Sequence, residues 1–304
     1  VVDKGCDAPS NLKIYLHKKM WPTYHLHTSY CDGKNTVAEW AAVLRQNGVP
    51  AAGLSSHAPL PEALARPWAM KSSNLEAYFA EIRQAAATAD KLQLYAGLEA
   101  DYVAGFTAPG AFAHLADYTI GSIHILGLLA DGTPWEVDMS TTLFKRGVQE
   151  IFDLDYCKAV CAYFGATRDM IGLSPPVLVG HLDKIKIHNR PDPLFDETAP
   201  WYREQVMETL HAIREKDLIL EVNTRGLYQN KTDTAYPSRW ILEEALRLNI
   251  RIALSSDAHR LEELHAWFAE TAGWLEAMGY RELTVLKDGV WQPMPFTKSG
   301  LKWT

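Results

Sequence analysis

Short apolar runs alternate with segments whose apolar residues recur at helical spacing over most of the chain. Residues 23–28 read as a strand. Thr36 then opens a helix, because Thr36 and Glu39 form a capping-box pair ahead of the stripe Val37, Trp40, Ala41 and Leu44, and Asn47-Gly48 ends it. A second unit repeats the order: an apolar run over 51–56, a proline-rich loop, and a helix with the box Ser73-x-x-Glu76 and the stripe Leu75, Tyr78, Phe79 and Ile82. Further strands are predicted at 92–98, 118–123, 177–180, 219–223 and 252–256, with helices near 142–171, 201–215 and 237–248. A last stripe joins Leu264, Trp267, Phe268, Trp274, Leu275 and Met278, with Thr271 the one polar residue on that face.

Most of these seven strands are apolar at successive positions, as required when both faces are covered. Alternation of this kind predicts an α/β fold whose parallel strands close into a barrel. Residues 283–293 read as a hairpin about Asp288-Gly289, a candidate lid for one barrel end. There is no internal repeat, and the proline-containing loop 190–200 is a connection. Residues 1–304 therefore read as one domain with an N-terminal extension over 1–22 and a hairpin tail over 281–304.

With 47% hydrophobic and 22% charged residues, 10 Trp and 13 Tyr, the chain has the composition of a folded globular enzyme and not of a disordered segment. The formal net charge of −7 with scattered basic residues argues against nucleic acid and anionic membrane as partners and leaves a small ligand as the expectation. Cys6 and Cys31 stand alone, and Cys157 and Cys161 are four apart in a helical pattern, so neither a disulfide framework nor a thiolate zinc site is expected. No run approaches the ~18 apolar residues of a membrane span, and residues 1–10 lack an export signature; a reducing, cytoplasmic setting is the expectation.

The histidines change the picture. His25, His27, His57, His124, His181 and His259 fall at or just past the carboxyl end of a predicted strand, as do Glu99 and Asp257. In a parallel barrel that end is the active face. Strand side chains alternate, so His25 and His27 project to one side, and Asp257 and His259 form a similar pair. With Asp32 the set offers six imidazoles and three carboxylates and no thiolate. One catalytic zinc takes about three protein ligands and keeps an open position, so this set suits two or three divalent ions. Zn, Mn or Fe match such donors, and hydrolysis is the natural chemistry. His17, His114, His188, His211 and His265 lack strand-end placement and read as ordinary.

The pieces His25-Leu26-His27-Thr28-Ser29-Tyr30-Cys31-Asp32-Gly33, Ser55-Ser56-His57-Ala58-Pro59, Gly97-Leu98-Glu99-Ala100-Asp101-Tyr102, Gly121-Ser122-Ile123-His124, Gly180-His181-Leu182-Asp183, Glu221-Val222-Asn223-Thr224 and Ser256-Asp257-Ala258-His259 resemble the PHP (polymerase and histidinol phosphatase) superfamily. Together with Trp68-Ala69-Met70-Lys71 they look most like its histidinol-phosphate phosphatase branch. The resemblance implies a distorted (β/α)7 TIM-like barrel with a trinuclear metal site at its C-terminal face. It implies that His25, His27, Glu99 and Asp257 hold one ion, that Glu99 bridges to a second held with His124 and His181, and that Asp32, His57 and His259 hold the third. Ser56 stands where the family commonly has Asp, and Arg225 where a small residue is more usual; the first touches ligand orientation, the second the substrate pocket.

The expected activity is that of a phosphomonoesterase of histidine biosynthesis, releasing L-histidinol and phosphate from L-histidinol phosphate by attack of a metal-bound hydroxide. Arg225 and Lys186 are the favoured phosphate-binding cations, with Lys184 also able to reach the face or, like Lys186, a solvated loop charge. A substrate with an ammonium and an imidazole calls for an acidic or aromatic lining, for which Asp101, Tyr102, Trp68 and Glu136 are candidates. Asp183 is expected to orient His181. A PHP-type enzyme for another small phosphate ester or a nucleotide would keep every ligand. An amidohydrolase typically bridges its metals with a strand-end lysine, where this chain has Glu99 or His124, and a non-catalytic metal-binding module would need its open coordination positions blocked.

Overall fold

The computed structural model describes residues 21–303; Cys6, His17 and nearly all of the expected N-terminal extension lie outside them. Helix α1 (Val37–Gln46) starts at Thr36, whose hydroxyl accepts the Glu39 N–H while the Glu39 carboxylate accepts the Thr36 N–H. Strand β1 (Ala51–Leu54) and helix α2 (Leu75–Ala87) follow. Ser73 and Glu76 do not form the expected box: Ser72–Asn74 is a 3-10 turn that feeds α2 without a side-chain cap. Next come β2 (Gln93–Asp101) and β3 (Tyr118–Ser122), then a short antiparallel pair, β4 (Ile125–Leu128) and β5 (Pro134–Glu136).

The single helix expected over 142–171 is two, α3 (Thr141–Phe152) and α4 (Tyr156–Leu173), because Asp153 and Leu154 adopt left-handed φ of 52° and 65°. The order continues β6 (Leu178–Val179), α5 (Pro200–Glu215), β7 (Ile219–Asn223), α6 (Arg225–Tyr228), α7 (Arg239–Arg247) and β8 (Arg251–Ser255). Helix α8 (Phe268–Met278) begins later than its stripe suggests, since Trp267 at φ 63° separates it from Leu264. Strands β9 (Glu282–Lys287), β10 (Val290–Thr297) and β11 (Gly300–Leu301) end the described chain.

Six strands form one curled parallel sheet in the order β1-β2-β3-β6-β7-β8, with helices outside it, giving a mixed α/β fold. Segment 23–28 is not the continuous strand expected. It bridges singly to Ala52 and Ala258, with Leu26 accepting the Ser55 N–H at 2.8 Å and the His27 N–H reaching the Ala258 carbonyl at 2.9 Å. It thus lies between the two edges of the sheet.

Tyr118 fills the interior near the amino ends of the strands, its hydroxyl donating to the Tyr24 carbonyl at 2.5 Å. A Cβ on Gly53 would come within 2.0 Å of that hydroxyl, and one on Gly97 within 2.3 Å of the ring, so both must be glycine. Strands β9 and β10 turn on Asp288 and Gly289 at φ 51° and 76°, the primed geometry that matches strand twist. This hairpin covers the same amino ends: Trp291 packs edge-on against Tyr24 and Tyr118, and Gln93 and Tyr95 bond its turn. No described helix is long and apolar enough to cross a membrane.

Candidate metal centre

At the opposite end, the carboxyl ends of the strands bring nine side chains into one cluster. Glu99, deep in β2 beside His57, is its hub. Its Oε2 lies 3.1 Å from His25 Nε2, 3.4 Å from His27 Nε2 and 3.1 Å from His57 Nδ1, while Oε1 lies 2.9 Å from His181 Nε2 and 3.4 Å from His124 Nε2. Asp257 Oδ1 is 3.2 Å from His27 Nε2, and Asp32 Oδ1 is 3.2 Å from His259 Nε2 and 3.9 Å from His57 Nε2. Four overlapping ligand-sized groups result among the described residues: His25, His27 and Asp257; Glu99, His124 and His181; His27, Asp32, His57 and His259; and His57, Asp101 and His124.

Local structure explains the convergence. His25 and His27 alternate along the extended segment, and Trp40 of α1 holds the His27 carbonyl at 2.8 Å. Asp32 approaches because Gly33 lacks a Cβ, which would sit 2.4 Å from the His27 carbonyl. Asp257 and His259 are delivered by a turn and not by strand alternation, since β8 ends at Ser255 and Asp257 takes φ 54°. Ser56 accepts the Thr28 N–H at 3.0 Å and so ties the end of β1 to the His-x-His segment.

Behind the cluster stands a layer of polar supports. Glu221 accepts His25 Nδ1 at 2.5 Å and the His181 backbone N–H at 2.8 Å, and Asn223 donates to Glu221 and to Asp257. The Nδ1–H of His25 is thereby engaged and Nε2 is aimed at the cluster. Asp101 does the same for His124, at 3.1 Å from its Nδ1 and 3.0 Å from its backbone N.

Electrostatics draw positive charge here. Burial drives His57 down to about 4 and, with His259 and His57 beside it, His27 well below the histidine range, so both rings present lone pairs. Burial pushes Glu99 upward, yet His25, His57 and His124 hold it well below the usual carboxylate range. Burial also opposes a charged His25, but Glu221, Asp257 and Glu99 raise it well above its ordinary value. His25 Nε2, His27 Nε2, His57 Nδ1 and Asp32 Oδ1 are buried and make no hydrogen bond despite their close neighbours. Each such atom costs about 1–3 kcal/mol while it has no partner. Divalent cations fit that donor set.

The cluster floors a cavity of about 780 Å³ whose wall includes Trp68, Asp138, Lys184, His188 and Arg225. Arg225 opens α6 directly after β7 and donates from Nη1 to the Asp257 carbonyl at 2.7 Å and the Tyr228 hydroxyl at 3.1 Å. Lys184 reaches the other side, 3.0 Å from Asp138 and 3.4 Å from His124 Nε2. Lys186 does not line this cavity. Its ammonium is buried among Asp183, Thr234, Ala235 and Ser238, over the Tyr236 ring, so it is neither a solvated charge nor a phosphate ligand candidate. Asp183 is occupied by Lys186 and Ser238 and does not orient His181. Asp101 and Tyr102 are buried outside the cavity wall, and Glu136 stands behind Trp68, bonded to it.

The sequence model of the PHP domain matches residues 23–225, about two thirds of the chain. This chain belongs to the PHP domain family. Among curated relatives, a Deinococcus radiodurans protein named "Probable histidinol-phosphatase" is 29% identical over 266 residues, 86% of this chain and 94% of that one. The histidinol-phosphatase of Bacillus subtilis is 27% identical over 251 residues, 78% of this chain and 92% of that one. A solved histidinol phosphate phosphatase from Lactococcus lactis, complexed with zinc, L-histidinol and phosphate, shares the fold at a TM-score of 0.65 and 21% identity, covering 93% of this chain and 99% of that one.

Several residues around this PHP cluster carry roles the sequence reading did not give them. Glu221 and Asn223 interrupt the apolar run of β7 at every second position while remaining buried, a pattern that marks polar groups on one face of the curled sheet. Asp138, which holds Lys184, has no such signal because it lies in a loop after β5. His188, read as ordinary, forms cavity wall with Nδ1 3.1 Å from the Thr141 hydroxyl, whereas His114, His211 and His265 lie away from it.

Proposed function

We propose that this PHP protein is a metal-dependent phosphomonoesterase that hydrolyses L-histidinol phosphate to L-histidinol and phosphate, a reaction of histidine biosynthesis. The observation that carries the chemistry is Glu99, whose two oxygens face different histidine groups at the floor of an open cavity among buried ring nitrogens without hydrogen bonds. The substrate follows from the names of both bacterial relatives and from the ligands of the Lactococcus enzyme.

In this reading His25, His27, Glu99 and Asp257 hold one ion, Glu99, His124 and His181 a second, and Asp32, His57 and His259 a third, the ions being Zn, Mn or Fe. Cations held there would supply a polarised water and charge neutralisation at the phosphoryl oxygens. Arg225 and Lys184 stand on opposite sides of the cluster, where a guanidinium and an ammonium can each take a phosphoryl oxygen. Burial lowers the Lys184 ammonium's hold on its proton, but Asp138, Asp257 and Glu99 together outweigh that and raise it, so the charge persists across the working pH range. Asp138 in turn is held down at about 2 by Lys184 against the upward push of burial.

The same reading takes segment 23–28 as the seventh member of a closed (β/α)7 barrel and the described residues as one domain, whose apolar core runs from Trp21 to Leu301. Free thiols at Cys31, Cys157 and Cys161 suit a reducing, cytoplasmic compartment.

The test combines metal analysis with phosphate release from L-histidinol phosphate, p-nitrophenyl phosphate and a nucleoside monophosphate. About two to three ions per chain and a kcat/KM preference on the order of 100-fold for L-histidinol phosphate are expected. Equal turnover of all three esters would leave only a general PHP phosphoesterase, and no turnover of any would leave a metal-binding module.

A further inference from the structure

Trp68 lies in the loop between β1 and α2, half-buried, with its ring centroid 4.6 Å from that of His57 and 5.6 Å from that of His124. Its indole N–H donates to Glu136 Oε2 of β5 at 2.6 Å. The other Glu136 oxygen accepts Arg66 Nε at 2.9 Å, and Arg66 also reaches the Pro134 carbonyl. Beneath the loop, Leu60 and Leu64 pack with Val103 and Ile125, and Trp68 rests on that cluster. The loop is therefore fastened to the β4–β5 pair through both polar and apolar contacts.

This fastening decides what Trp68 can offer a ligand. The indole edge is satisfied, and Glu136 is covered by its two donors and absent from the cavity wall, so the ring face is what remains. A phosphomonoester with its phosphoryl group on the floor directs its alcohol portion up the cavity, and Trp68 forms part of the wall there. Indole faces attract flat and cationic groups. Tyr236, another aromatic of the wall, is only 1% exposed and has Lys186 over its ring.

We propose that Trp68 is a specificity-determining residue whose face packs on the imidazole of the substrate's alcohol portion, and that Glu136, with Arg66, is a positioning residue acting through it. The inference rests on the L-histidinol phosphate reading above. The experiment measures kcat and KM for L-histidinol phosphate and for propyl phosphate, which has neither ring nor charge on its alcohol, with metal content determined in the same samples.

Trp68→Leu is expected to lower the ratio of the two kcat/KM values about tenfold, carried by KM, and Trp68→Phe about two- to threefold. Glu136→Gln, which keeps one acceptor for the indole, is expected to move KM in the same direction by less. An unchanged ratio, equal losses on both esters, or a loss of metal from Trp68→Leu overturns the assignment. Wild-type protein that releases no phosphate from L-histidinol phosphate overturns the substrate reading and this inference together. Wild-type activity with an unmoved ratio in the variants overturns this inference alone.

Discussion

Lys184 and Lys186 are two residues apart yet end in opposite surroundings, one at the cavity wall and the other in a buried polar nest. The 3-10 turn Lys184–His188 separates them: at about three residues per turn, neighbours two apart point roughly 120° away from each other. Both lysines follow β6 closely enough to reach the carboxyl face, and the turn is what sends the Lys186 ammonium to Asp183 and Ser238 instead. Truncating Lys186 leaves Asp183 buried without its ion-pair partner, so Lys186→Met should lower folding stability by about 3 kcal/mol, seen as a lower denaturant midpoint, without a specific rise in KM. Glu221 illustrates the converse, a charge with no surface role. Glu221→Gln should weaken metal binding about 10–100-fold in competition with a chromogenic chelator while the protein stays folded, because His25 loses its charged acceptor. Eight of the nine clustered side chains were legible because so many ionisable groups stand together at the ends of apolar runs, where any one alone would read as ordinary; Asp32 lies in the turn that follows the His-x-His segment. Asp138 was not legible, since loop placement depends on contacts made far along the chain.

Elements formed where local signals agreed and shifted where they did not. The Thr36–Glu39 box fixed the start of α1, whereas the same pattern at Ser73 lost to a 3-10 turn whose backbone needed no side-chain cap. The helical pattern over 142–171 hid a break, because Asp153 and Leu154 continue the pattern in composition while turning left-handed in backbone. Glycine is the reverse case at Gly53 and Gly97, where packing and not a turn excludes a side chain. Gly53→Ala or Gly97→Ala forces Tyr118 off its bond to the Tyr24 carbonyl, and each should destabilise by about 1–3 kcal/mol in urea titration, with the larger loss at Gly53 where the added carbon would meet the hydroxyl at 2.0 Å.

At the scale of the whole molecule, strand-helix alternation was enough to give the parallel sheet, but not how its edges meet. Segment 23–28 joins them through single bridges that no local periodicity encodes. Nor could the sequence say which end the final hairpin covers, since Gln93 and Asp288 meet only in the folded chain. Because the nine clustered side chains come from segments spread from residue 25 to 259, cations bound among them would cross-link most of the chain. Exhaustive chelation should therefore lower Tm by at least about 5 °C, and re-addition of Zn or Mn should restore it in differential scanning calorimetry.

Among the described residues, Tyr118 and the hairpin fill the amino ends of the strands beneath the cluster, so the cavity is reached from the opposite side. Whatever is bound lowest must wait for whatever lies above it to clear. For a split ester this sets an order of egress, alcohol before phosphate. Inorganic phosphate should then inhibit competitively against substrate and L-histidinol noncompetitively, a pattern that steady-state product inhibition reads directly.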